Sequence, residues 1–235
     1  MKQAAAAVLA LALVAGCDLV PPTKGNGTVK TDTRAMTDFK QVVNATAYKM
    51  TVAEGSTSGI AVTVDENLQS LVTANVVNGA LVVSTVGNPA PSAEPLLAVT
   101  LPELQGATLA GSGSVEVGNL SQARALALVN TGSGPLHFSG QALAMVAKVS
   151  GAGPMVLSGT ANGLDADVSG SGALEAKDLT VNGAAQLASS GSGNITATVN
   201  GNISFTLSGS GNIDWFGTAN VSGQNVTGSG KVTHH

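Results

Sequence analysis

The sequence predicts an all-β chain wound into a single-stranded parallel β-helix of about 19–20 residues per coil. Three observations carry this. A Gly-Ser/Ala-Gly motif recurs seven times, its first glycine at positions 111, 132, 151, 170, 191, 209 and 228, in steps of 21, 19, 19, 21, 18 and 19. A fixed period of this length is the mark of a stacked solenoid. Apolar and polar residues alternate on both sides of every motif, as in a strand with one face inward. The 235-residue chain is 43% hydrophobic but only 10% charged and 3% aromatic, with 30 glycines. That apolar content is too high for disorder, and small or β-branched residues suit short strands.

The N-terminus reads as a leader. Lys2 supplies a positive charge, and Ala4 to Val14 is an apolar run too short to span a bilayer as a helix. It ends in Val14-Ala15-Gly16-Cys17, a bacterial lipobox pattern, so residues 1–16 are expected to be removed and Cys17 lipidated. A plain signal peptide with a chance cysteine is the alternative. Cys17 is the single cysteine, which excludes a disulfide framework and a cysteine metal site. Residues 17–27, rich in Pro and Gly, read as the lipidated Cys and a flexible tether. The formal net charge is −4 with no basic cluster, so no nucleic-acid partner is expected.

Residues 28–235 read as one β-helix domain, irregular over 28–110 and regular over 111–235. In the first part Val42-Val43, Tyr48 to Val52, Ile60 to Val64, Leu71-Val72, Leu81 to Val83 and Leu97 to Leu101 read as strands, about four looser coils. Asn88 to Pro95 holds three prolines and reads as a loop. In the regular part, Val115, Leu136, Met155, Leu174, Ile195, Ile213 and Val232 follow the motif as an inward column. Ahead of it run Leu109, Asn130, Val149, Val168, Ser189, Leu207 and Val226. Asn130 and Ser189 are polar, so a one-residue bulge placing Val129 and Ala188 inward is expected there. The residues just before the motif, mostly Ser and Thr, suggest a hydroxyl ladder. The glycines suggest a corner with positive φ or close backbones.

These residues resemble the auto-transporter adhesin, head-GIN-type domain family. The resemblance runs through Phe39 to Val43, Tyr48 to Gly55, Val62 to Leu68, Asn78 to Val83, Leu101 to Leu104 and the later Ser-Gly-Ser-Gly corners. It implies a right-handed parallel β-helix on a bacterial envelope protein, often lipid-anchored, and supplies no catalytic residues.

Candidate surface groups are few. Glu116, His137, Glu175 and Asp214 share one outward column, interrupted by Val156 and Thr196. Asp165 and Asp167 point outward from another strand, and Phe216 is the best candidate for an exposed aromatic contact. Clustered carboxylates would suit a carbohydrate-active enzyme; spread ones suit a solvated face. A Glu116–His137 pair is one expected contact, and His234-His235 is expected to fray. The reading that fits these patterns is a non-enzymatic, lipid-anchored envelope protein. Its repetitive surface would serve adhesion or binding to an envelope protein or glycan, with the membrane as partner through Cys17 and no cofactor or metal. A β-helix enzyme using Asp165, Asp167, Glu175 or Asp214, and a structural or assembly role, are the alternatives.

Overall fold

Backbone rungs stack in parallel register to give an all-β solenoid of about seven turns. The structure, a computed structural model, describes residues 21–235, with residues 119 and 121–123 described by backbone alone. Cys17 and the leader lie outside the described residues.

The expected inward column is one vertical line. Val115 pairs with Leu136, Leu136 with Met155, Met155 with Leu174, Leu174 with Ile195, Ile195 with Ile213 and Ile213 with Val232. The line continues through Met50 and Leu97. From Leu97 to Ile213 every member is fully buried. Burying each such side chain stabilises the fold by about 1.5–3 kcal/mol before chain entropy is set against it.

The corners are built from close approach and not from left-handed backbone. None of the motif glycines has positive φ. A Cβ added at Gly132, Gly153, Gly172, Gly193 or Gly211 would come closer than 3.0 Å to the carbonyl oxygen of the matching glycine one coil away. The carbonyls of Gly132, Gly151, Gly170, Gly191 and Gly209 each take two backbone donors: Gly170 O, for example, accepts from the N–H of Ser192 (3.1 Å) and of Gly193 (3.2 Å). The preceding hydroxyl residues Thr131, Ser150, Ser169, Ser190 and Ser208 are exposed, and their backbone N–H groups tie the rungs, as Ser150 does to Asn130 O at 3.0 Å. In the last coils a side-chain relay joins in. Asn194 Oδ1 accepts the Asn212 N–H at 2.8 Å, and Asn212 Oδ1 accepts the Lys231 N–H at 2.9 Å.

Asn130 and Ser189 correct the expectation of a bulge. Both stay in register with Val149 and Val168 and are buried, at 0% and 1% exposure. A buried amide must be satisfied. The Asn130 amide donates to the carbonyls of Gly134 (2.9 Å), Gly153 (3.1 Å) and Pro154 (3.1 Å), and its oxygen accepts the Gly132 N–H. Asn44, in the same column, bridges Tyr48 O and Ser114 O. The extra residues of the long steps are absorbed in mid-coil: between Val117 and Ala125, and beside Ala176 where Asp178 pairs with Ser158.

The N-terminal third is not a run of looser coils in chain order. The strands Gln41–Asn44 and Lys49–Glu54 lie between those of a later segment, Ala80–Thr85 and Leu96–Leu101, and the first regular coil. Beyond them the pairing turns antiparallel. Gly59–Asp65 pairs with Leu96–Leu101 on one edge and Val29–Ala35 on the other. The outermost strand, Val29–Ala35, is blunted by Lys30, Asp32 and Arg34, which guard an open edge against further pairing.

The proline loop and the segment read as tether meet on this cap. Thr23–Lys24 pairs with Pro89–Ala90. Asp65, 1% exposed, accepts from the Gly27 N–H (2.8 Å), the Ser92 N–H (2.9 Å) and the Ser92 hydroxyl (2.5 Å). These bonds, the Ser92 hydroxyl first, hold its carboxyl below the ordinary value.

Candidate functional site: an outward ladder and a cleft beside the cap

The strand that follows each corner carries the predicted column as a straight ladder: Glu116, His137, Val156, Glu175, Thr196 and Asp214 pair rung on rung. Strand alternation sends all six away from the core that holds Val115 and its partners. Glu116 bonds Lys49 at 2.9 Å, one rung toward the cap, and this bond raises the Lys49 pKa. Glu175 is exposed beside a shallow recess of about 360 Å³ that it shares with Lys177, Asp178 and Asn194.

Asp214 contacts the C-terminal histidines. His235 Nε2 lies 2.8 Å from Asp214 Oδ1. The His235 ring stacks on Phe216 at 4.9 Å, and Lys177 Nζ sits 4.6 Å from the Phe216 centroid. Phe216 is therefore half-buried between a cation from one coil and an imidazole from another. On the inward side His234 stacks on Trp215 at 3.7 Å and 9°, closing the core where the described coils end. The two histidines are ordered by the two aromatics rather than frayed.

Asp165 and Asp167 stand on the strand before the corner, flanked by Val146 and Lys148 on one rung and Gln186 and Ala188 on the other. The corner separates them from Glu175 and Asp214, so the candidate carboxylates fall on two faces. Among the described residues no three His, Cys, Asp or Glu side chains converge as a metal site.

A different group does converge. Where the cap meets the first parallel coils, an open cleft of about 670 Å³ is lined by residues that include Asp38, Ser58, Asn78 and Gln41. Within it Glu103 Oε2 accepts from Lys40 at 2.7 Å, and Glu103 Oε1 accepts from Gln105 at 2.9 Å and lies 3.3 Å from Arg124. The Lys40 bond, then Gln105 and the Arg124 charge, hold the Glu103 carboxyl at about 2. Arg124 sits where the strand Ser114–Asn130 slips register against its neighbour, the kind of irregularity that re-aims a side chain. Sequence reading missed this group. Lys40, Glu103 and Arg124 are distant in the chain, and the only signal was that Arg34 and Arg124 are the two arginines.

The family model described as putative auto-transporter adhesin, head GIN domain, matches residues 38–219. A crystal structure of a putative adhesin from Bacteroides fragilis is similar at a TM-score of 0.83 and 20% identity, covering 91% of this chain and 100% of that one. A protein from Parabacteroides distasonis described as a putative lipid binding protein is similar at 0.70 and 20%, covering 92% and 100%. A putative adhesin from the same species is similar at 0.67 and 18%, covering 92% and 100%. At these identities the likenesses concern the fold. No curated protein matches the sequence.

Proposed function

Because the chain belongs to the putative auto-transporter adhesin, head GIN domain family, we propose that it is a lipid-anchored, non-enzymatic envelope protein whose solenoid presents a binding surface away from the membrane. The observation that carries this reading is the straight outward ladder from Glu116 to Asp214, a face whose carboxylates are separated by one or more rungs and do not converge. Long repetitive faces of this kind suit binding, while glycoside hydrolysis needs two carboxylates across one bond.

The cap supports an orientation. Thr23–Lys24 is paired into it, and six residue steps separate Thr23 from Cys17. At about 3.5 Å per residue a lipid on Cys17 lies within about 20 Å of that strand. The cap end then faces the bilayer, and the coils around Ile213 point away. Two acyl chains would make the anchoring stable where one would not.

The test combines acyl labelling with adhesion. Cells expressing the full chain should incorporate an alkyne fatty acid into it and retain it in the membrane fraction, and Cys17→Ser should release it. Beads carrying the protein through its N-terminus should bind envelope or glycan arrays better than beads carrying it through the C-terminus. Label incorporation by Cys17→Ser, or equal binding in both orientations, would sink the respective half of the reading.

A further inference from the structure

We propose that the cleft between the cap and the first parallel coils binds an acidic sugar within a linear polysaccharide, with Lys40 and Arg124 receiving the uronate carboxylate. This rests on reading the chain as a binding solenoid and adds to the outward ladder a second site, at the cap end, with a stated ligand class.

Shape comes first. The cleft volume of about 670 Å³ falls within the range of small-molecule sites. Its wall crosses four stacked rungs. The Lys40 N–H donates to Gly79 O at 3.0 Å, the Gln105 N–H to Lys40 O at 2.7 Å, and the Ala127 N–H to Gln105 O at 3.0 Å. Rungs repeat every 4.8 Å or so, close to the length of one pyranose unit, so a glycan lying along the solenoid axis meets a similar step with each residue. The hydroxyl of Ser58 and the amides of Gln41 and Asn78 offer both donors and acceptors, the chemistry that vicinal sugar hydroxyls need.

Charge then selects among sugars. Glu103 is the least exposed member of the ion group, its side chain 24% exposed against 54% for Lys40 and 47% for Arg124. Both its oxygens already accept, from Lys40, Gln105 and Arg124. The carboxylate is thus turned inward and satisfied, and the positive ends stand outermost. An ammonium has three donors and a guanidinium five, and charge-assisted bonds to a carboxylate are the strong kind. Asp38, an exposed member of the lining, can accept hydrogen bonds from sugar hydroxyls and repels densely charged chains, which favours one carboxylate per sugar over polysulfated or nucleic-acid ligands.

Backbone geometry marks the same place. Asp38 (φ 62°) and Asn78 (φ 51°) are the two non-glycine residues with left-handed backbone among the described residues, and both line this cleft. Asn78-Gly79 is the two-residue turn joining Val72–Val77 to Ala80–Thr85, where such φ values are required. No hairpin demands the Asp38 conformation, and residues held this way concentrate at ligand sites.

The test is calorimetric titration of the full chain in detergent with uronate trimers (galacturonate, glucuronate and mannuronate) and their methyl esters. At least one acid trimer should bind about tenfold or more tightly than its ester, and added salt should weaken it. The Lys40→Gln/Arg124→Gln pair should lose that preference while keeping the wild-type circular dichroism spectrum and a cooperative melt, at a lower midpoint because Glu103 loses two partners, and Asp167→Asn, on the other face, should retain it. If the pair misfolds, Lys40→Gln alone, at an exposed position, should lower affinity for the acid and not for the ester. Equal binding of acid and ester, full retention by the variants, or no binding of any uronate overturns the proposal. Whole-cell adhesion that persists in the double variant would remove the cleft and leave the binding solenoid standing.

Discussion

The regular coils and the cap use the same parallel rungs but are held together differently. From Val115 onward the neighbour of each residue in the stack is also its neighbour in the repeat, and the corners close because glycine backbones touch. In the cap, spatial order departs from chain order, and polar side chains do the fastening: Asp65 to Gly27 and Ser92, Asn44 to Tyr48 and Ser114, Arg34 to the carbonyls of Val72 and Gln69. A repeat supplies its own register. A region without one needs specific bonds to choose among alternatives, at the risk that each bond can be lost separately.

The sharpest way to break this contrast is Gly153→Ala. A methyl there meets the Gly134 carbonyl, and relief requires two rungs to part. The expected loss is about 3 kcal/mol or more, read by denaturant unfolding; a loss below about 1 kcal/mol would mean the corners are not close-packed. Next is Asn130→Ala, which takes the amide donor from the Gly134 and Gly153 carbonyls and should cost about 2 kcal/mol. Asn130→Val, matching Val149 and Val168 of the same column in shape, tests whether the amide or the volume matters.

Acid should separate the two regions without mutation. Glu103 is held near 2 against an ordinary 4.5, and Asp65 lies below its ordinary 3.8. A depressed folded-state pKa gives stability that is full above the unfolded value and fades as pH falls through the folded one. Hydrogen-exchange protection factors, taken against the slower intrinsic exchange in acid, should therefore fall around Gly27, Ser92 and Gln105 as pH drops from 4.5 toward 2, ahead of the coils near Leu174. Simultaneous loosening would dissolve the distinction. The smallest effect is expected from Glu116→Gln. Its bond to Lys49 is solvent-exposed and such pairs contribute little, so the melting temperature should match wild type within error.

What could be read from the sequence follows the same division. The glycine period placed Val115, Leu136 and Met155 in one line because close approach leaves a mark at a fixed spacing. Asn130 was misread because an apolar neighbour, Val129, offered an easier inward residue, and nothing local reveals that the Gly134 and Gly153 carbonyls await an amide. The interleaving of Lys49–Glu54 between later strands left no trace, since pairing partners 47 residues apart, such as Met50 and Leu97, share no repeat. The outward ladder was legible for the same reason as the core, being its other face. The Lys40, Glu103 and Arg124 group was not, because it is assembled by that interleaving and by a register slip.

The displaced position of Gln41–Glu54 also sets a timetable. As the chain emerges N-terminus first, this segment has no neighbour on either side until residues 80–118 have followed it. Nothing can grow on it before then, and once that platform closes, every later turn finds a template waiting. Assembly therefore begins with a pause and continues as a zipper, with the longest-range contacts made first and the local ones added in sequence.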